Sequence, residues 1–122
     1  MRDTSKDFYK KLLGITGEVK AVKFLKKLGY KILAKNYKTV VGEIDIIAKD
    51  GDTVVFVEVK TRTNENYGAP SEAVGVNKRL KYFKVAEEYL VKNYKTTDVL
   101  CRFDVIETLD GQINHIINAF SC

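Results

Sequence analysis

Gly42-Glu43-Ile44-Asp45-Ile46-Ile47-Ala48, followed by Val54-Val55-Phe56-Val57-Glu58-Val59-Lys60-Thr61-Arg62, is the stretch on which the reading of this chain turns. In the second run Val54 and Phe56 point to one face of a strand, and Val55, Val57 and Val59 to the other. Apolar residues on both faces mark a central strand covered on both sides. Glu58 and Lys60 nevertheless continue the face begun by Val54 and Phe56. Charge there is costly unless it is paired or bound to an ion.

The hairpin that joins the two runs brings in a further carboxylate. Lys49-Asp50-Gly51-Asp52 separates them, and Asp-Gly between strand-like runs signals a two-residue turn. A turn at Asp50-Gly51 sets Lys49 beside Asp52, Glu43 opposite Glu58 and Asp45 opposite Phe56. Asp45 is then diagonal to Glu58 on the same face, within reach of a shared ion. Carboxylates this close repel one another, and a hard divalent cation is the usual remedy.

Working outward, residues from about Ser5 to Leu28 read as a helix, with Glu18, Ala21, Val22, Leu25 and Leu28 on one face and Gly29 as the stop. Lys20, Lys23, Lys26 and Lys27 fall largely off that face. Strands are expected over Tyr30–Tyr37, Gly42–Ala48 and Thr53–Thr61, then a polar loop over Asn64–Ala69 and a short helical turn over Pro70–Val74. Asn77 suits the cap of a helix reaching Tyr94, with Leu80, Phe83, Ala86 and Leu90 as its buried stripe. Leu100–Thr108 and Gln112–Phe120 close the chain as a hairpin around Asp110-Gly111. The order α-β-β-β-α-β-β predicts an α/β fold, a mixed sheet flanked by helices, formed by residues 1–122 as a single domain.

Glu18 sits in the apolar stripe of the first helix, where a solvent-facing glutamate does not belong, so it offers another oxygen to the cluster. The chemistry that needs such a set is phosphodiester hydrolysis. Mg²⁺ or Mn²⁺ held by Asp45, Glu58 and Glu18 would orient a phosphate and acidify a water, with Lys60 positioning that water or stabilising the phosphorane. An isolated Glu-x-Lys on a strand is most often a salt bridge. Asp45, thirteen residues before Glu58 across a hairpin, and the inward Glu18 favour the metal reading.

An Asp followed after this gap by Glu-x-Lys resembles the PD-(D/E)xK nuclease superfamily, and within it the small bacterial YraN-like proteins. The resemblance runs through Thr16-Gly17-Glu18, Leu28-Gly29-Tyr30, Gly42-Glu43-Ile44-Asp45 and Phe56 to Arg62. It continues in Tyr67-Gly68-Ala69-Pro70, Lys78, Arg102-Phe103-Asp104-Val105 and Asn118-Ala119-Phe120, nearly the whole chain. It implies a restriction-endonuclease-like core, metal ligands at Asp45 and Glu58, Lys60 as catalytic lysine and Glu18 as auxiliary acid. Ile44 stands where the superfamily's name has a proline.

The other charged positions are weighed more simply. Lys78 and Arg79 open the second helix and, with Arg62 past the end of the central strand, are expected to contact nucleic acid. Tyr82 and Tyr89 are expected in the core, Asp104 and His115 in structural roles, and Thr61 on the face away from Lys60. The 21 basic and 16 acidic residues give a net charge of +5, which suits a polyanionic partner. There is no run of ~20 apolar residues to cross a bilayer and no signal-peptide pattern. The two cysteines, Cys101 and Cys122, have no metal-ligand spacing, so a cytoplasmic protein with reduced thiols is expected.

The expected function is a Mg²⁺- or Mn²⁺-dependent endonuclease acting on structured or damaged DNA in preference to RNA. A homodimer is expected if both strands are cut. The alternative is a nucleic-acid-binding module of the same fold without turnover.

Overall fold

The computed structural model describes the backbone of residues 5–62 and 76–120, with side chains from residue 15 and, in the second part, from residue 77. Along the chain run α1 (Ser5–Lys27), β1 (Lys31–Lys38), β2 (Glu43–Asp50), β3 (Thr53–Arg62), α2 (Val76–Tyr94), β4 (Cys101–Leu109) and β5 (Gln112–Phe120). The expected order α-β-β-β-α-β-β holds. The expected loop at Asn64–Ala69 and turn at Pro70–Val74 lie outside the described residues, as does Cys122.

The five strands form one sheet in the order β1-β2-β3-β4-β5. Neighbours pair antiparallel except β3 and β4, which are parallel across the segment that carries α2. The run that looked central is central: Val54, Val55, Phe56 and Val57 are all buried. Val54 and Phe56 pack with Tyr82, Val85, Ala86, Tyr89 and Leu90 of α2. Val55 and Val57 pack with Ala21 and Leu25 of α1 on the other face. Each helix covers one side of the sheet, which is why β3 reads as apolar on both faces.

Local chemistry sets how α1 meets the sheet. Gly29 takes φ 92°, and Tyr30 N donates to Leu25 O at 3.0 Å, a Schellman closure that turns the chain into β1. Gly17 is where α1 touches β3 and β4. A Cβ there would collide with Thr61 Oγ1 and crowd Thr108. Thr61 therefore faces α1, away from Lys60, as the strand period predicts.

Three local expectations need correction. The β2–β3 ladder starts at Asp50–Thr53, so the turn's central residues are Gly51 and Asp52 and not Asp50 and Gly51. Gly51 takes φ 60° as the first of them, the II′ arrangement with glycine leading, whereas a I′ turn needs positive φ at both. The β4–β5 hairpin does form the I′ turn, with Asp110 at φ 50° and Gly111 at 82°. Phe56 consequently pairs with Ile47 and not with Asp45. The ladder ends at Ile46–Val57, so Glu43 is not paired with Glu58 either. A slip of two residues preserves side-chain parity, whereas a slip of one would have reversed it.

The second correction concerns α2. It begins at Val76, so Asn77 lies inside its first turn, and Leu80 is 53% exposed. The buried stripe is Tyr82, Val85, Ala86, Tyr89 and Leu90, with both tyrosines in the core as expected. The third is Leu28, half exposed just past the end of α1.

Candidate active site

Glu58 projects from β3 toward α2 and is only 7% exposed. Its Oε1 accepts a hydrogen bond from Lys78 Nζ of α2 at 2.6 Å, and Lys60 Nζ lies 3.1 Å from the same oxygen. Its Oε2 is buried with no hydrogen-bond partner among the described residues. A buried carboxylate oxygen left bare is costly, more so than a neutral one. Tyr82, also buried, closes the site from α2; burial first, and then its hydroxyl's approach to the Glu58 carboxylate as a donor, raise its pKa.

Asp45 comes to the same place from β2. Strict alternation fails around it: Ile44 packs beneath α2, while Ile46 packs beneath α1. The β2–β3 ladder has already ended, and Asp45 Oδ2 accepts the Val59 N–H at 2.8 Å where the next strand pair would have stood. Burial pushes the Asp45 carboxyl up to about 6, and the carboxylates of Glu58, Glu18 and Glu43 push the same way against the Val59 N–H. Glu18 of α1 lines a cavity together with Asp45, and burial and Glu43 raise its pKa as well.

The two lysines that share Glu58 are not equivalent. Burial and the neighbouring Lys78 lower the Lys60 pKa, with Glu58 pulling the other way. For Lys78 burial acts downward too, but the closer bond to Glu58 outweighs it and the net shift is up. Lys60 is thus the cation that gives up a proton more readily, as proton transfer requires.

Asp45, Glu58 and Lys60 are brought together as the sequence predicts, with Glu18 at the edge and Lys78 inside the cluster. Arg62 and Arg79 go elsewhere. Arg62 Nε lies 3.7 Å from Glu107 Oε2, and the Arg79 guanidinium sits 5.9 Å from the Phe120 ring centre. Glu107 is the residue the sequence reading missed. It is 4% exposed, pairs with Lys60 in the parallel β3–β4 ladder and accepts from Asn114 Nδ2 at 3.3 Å. Only the β3–β4 register, a pairing across more than forty residues, brings it beside Lys60, and no local pattern announces that. Asp104 and His115 are structural, as expected. Asp104 Oδ2 lies 2.8 Å from His115 Nε2, and its Oδ1 accepts from Arg102 Nε at 3.0 Å.

Among the described residues no three His, Cys, Asp or Glu side chains converge as a ready-made metal cage. The donor set still fits one kind of ion. Mg²⁺ commonly takes one or two carboxylates and completes its shell with water and substrate phosphate. Asp45 and the bare Oε2 of Glu58 supply that much.

A model described as "Uncharacterised protein family UPF0102" matches residues 17–108, which hold Glu18, Asp45, Glu58, Lys60 and Glu107. The chain belongs to UPF0102. The YraN-like membership drawn from the motifs therefore stands. A UPF0102 protein of Clostridioides difficile is 50% identical over 109 residues, covering 88% of this chain and 95% of its own. One from Caldanaerobacter subterraneus is 48% identical over 120 residues, covering 91% and 96%. One from Caldicellulosiruptor saccharolyticus is 47% identical over 109, covering 89% and 92%. This UPF0102 chain thus spans nearly the full length of these relatives. No helix among its described residues is long and apolar enough to cross a membrane.

Proposed function

We propose that this UPF0102 protein is a metal-dependent endonuclease that hydrolyses phosphodiesters in structured or damaged DNA. The observation that supports it most is the state of the two carboxylates. Among the described residues Glu58 keeps a buried oxygen without a partner, and the carboxyl of Asp45 beside it is pushed up to about 6 by burial and then by its acidic neighbours. A cluster built only for stability would have satisfied both.

Asp45 and Glu58, with Glu18 behind them, would hold Mg²⁺ or Mn²⁺; the ion supplies neutralisation of phosphate charge and lowers the pKa of a water. The chain's own part falls to Lys60. Its lowered pKa and its place 3.1 Å from Glu58 let it orient a water and exchange a proton with it. Glu107, on the neighbouring strand beside Lys60, lies 3.7 Å from Arg62 Nε.

The alternative, a binding module of the same fold without turnover, has one observation in its favour: Lys60 and Lys78 already neutralise Glu58. One experiment separates the two. Cleavage of fluorescent flap, nicked and junction DNA is measured in Mn²⁺ for wild type, Asp45→Asn, Glu58→Gln and Lys60→Met. The nuclease reading expects cutting by wild type and a loss of roughly 10²-fold or more in each variant. Metal-free DNA affinity should be unchanged or slightly higher in the carboxylate variants. Cutting that persists undiminished in Asp45→Asn and Lys60→Met overturns the assignment, and no cutting of any geometry by wild type selects the binding module.

A further inference from the structure

The cations expected to meet nucleic acid are largely committed elsewhere, Lys78 to Glu58 and Arg62 to Glu107. The chain's other basic surface that reaches the candidate site lies on the opposite side of the sheet. A cavity of about 370 Å³ opens between α1 and β1–β2. Lys23 and Lys26, on α1, stand one helical turn apart on one wall, and Lys35 of β1 stands on the other; all three are exposed. Ile15, Val19 and Val22 form the apolar side, and Ile15 and Val19 remain 51% and 49% exposed. Asp45 and Glu18 complete the lining, so this basic cleft leads to the candidate active site.

We propose that this cleft seats a single polynucleotide strand, its phosphates on Lys23, Lys26 and Lys35 and its sugars and bases against Ile15, Val19 and Val22, delivering one phosphodiester to Asp45. The catalytic end of this proposal rests on the nuclease reading; the strand seat itself does not. The charges suit a polyanion, and the exposed apolar wall suits one that also carries uncharged surface. The volume lies at the small end of the roughly 300–1,000 Å³ typical of ligand sites, which admits one strand and not a duplex. Among the described residues no aromatic side chain lines the cleft, so phosphate contacts dominate there, giving sequence-tolerant binding. Glu18 and Asp45 repel a phosphate at the inner end, so Ca²⁺, which fits carboxylates, should tighten the strand in wild type.

The test is fluorescence anisotropy of a labelled oligothymidylate in Ca²⁺ over a series of salt concentrations. It compares wild type with the triple variant Lys23→Gln/Lys26→Gln/Lys35→Gln. A control triple, Lys81→Gln/Lys84→Gln/Lys92→Gln, removes exposed charge from α2. Loss of three phosphate contacts should lower the slope of log K against log salt by about 2 and weaken binding at least tenfold. The control should stay close to wild type, and thermal melting should be unchanged in both. A cleft triple that binds with wild-type affinity and slope overturns the strand seat. So does a wild type that binds no oligonucleotide, or one that binds polyglutamate more tightly, which would assign the cleft to an acidic peptide. Cutting that depends on Asp45 but not on the three lysines would sink the seat and leave the nuclease reading standing. Strand binding that depends on the lysines, with cutting indifferent to Asp45, would do the reverse.

Discussion

Asp104 and Asp45 sit on the two strands that flank β3, and each accepts a backbone N–H where a ladder is interrupted. Asp104 Oδ1 takes the Asn118 N–H at 2.9 Å, beside the β4–β5 irregularity where Asn118 adopts φ 54°. Asp45 Oδ2 takes the Val59 N–H at 2.8 Å, past the end of the β2–β3 ladder. From there the two diverge. Around Asp104 stand Arg102 and His115, and Arg102 also reaches Tyr30 Oη at 2.6 Å and Asp50 at 3.1 Å. Burial opposes ionisation of Asp104, but these donors outweigh it and the pKa falls. At Asp45 burial also pushes the pKa up, and there the neighbours Glu58, Glu18 and Glu43 add to it, with only the Val59 N–H opposing. The sign of the neighbours, and not burial, separates a structural lock from a group under electrostatic tension.

Breaking the lock should produce the largest change in stability. Asp104→Ala removes the common acceptor of Arg102, His115 and the Asn118 N–H and leaves the largely buried Arg102 with only the half-exposed Asp50 as counter-charge. The expected cost is about 3–5 kcal/mol, a fall of roughly 10–20 °C in melting temperature. Because the folded pKa of Asp104 is depressed, its stabilisation is present above the unfolded value near 4 and is lost as pH falls through the folded one. The gap between wild type and variant should therefore narrow in strong acid. A loss under about 1 kcal/mol at neutral pH would show that the network carries little, and the contrast with Asp45 would lose one side.

How much of this could be read beforehand follows the range of the interactions. Strand and helix identities were legible because hydrophobic period is local: the apolar run at Val54–Val57 announced the central strand and both covered faces. The cluster of Asp45, Glu58 and Lys60 was legible because one hairpin joins them. The turn type was not, since Asp-Gly-Asp at 50–52 permits two placements of the glycine, and only the observed φ of 60° at Gly51 decides between them. Asp45 reached its partner by another route: alternation breaks between Ile44 and Ile46, and past the end of the ladder its carboxylate turns to the Val59 N–H beside Glu58. Partners set by long-range pairing stayed hidden. Glu107 beside Lys60 depends on the parallel β3–β4 register, Lys78 on the packing of α2, and Lys35 facing Lys23 and Lys26 on the packing of α1. The stripe of α2 departs from expectation at Leu80 because Tyr82, Val85 and Tyr89 set the buried side, and Leu80 falls on the opposite face of the helix.

The tension at Asp45 makes a prediction of opposite sign. Its folded pKa of about 6 lies above the ordinary 3.8 of an aspartate, so between these values the folded state holds more protons than the unfolded one. Stability then falls as pH rises through this window and stays low above it. Asp45→Asn keeps an acceptor for the Val59 N–H and removes the charge. It should be more stable than wild type at pH 8 by roughly 1–2 kcal/mol, once the shift is discounted for solvent screening. The advantage should vanish near pH 4. Urea unfolding at both pH values checks it, and a variant less stable than wild type at pH 8 would place Asp45 in the same class as Asp104.

The smallest effect asks whether Glu58 belongs to the locked class or the tense one. Lys78 and Lys60 lie 2.6 and 3.1 Å from the same oxygen while Oε2 has no hydrogen-bond partner among the described residues, so the cations stand on one side of the carboxylate. An ammonium and a divalent ion answer the same buried negative charge and therefore compete for it. Lys78→Met keeps a long apolar stem, the part that spans toward the Tyr82 ring 5.7 Å from the ammonium, and deletes the competitor. If Lys78 stands in for a metal, the variant should bind Mn²⁺ about fivefold more tightly, roughly 1 kcal/mol by calorimetry. The Lys60 pKa should rise as well, because a neighbouring cation that lowers it has gone. Unchanged or weaker Mn²⁺ binding would mean that Lys78 holds Glu58 in place as Arg102 holds Asp104. The tension would then be confined to Asp45, and a two-carboxylate ion site would lose its better-buried ligand.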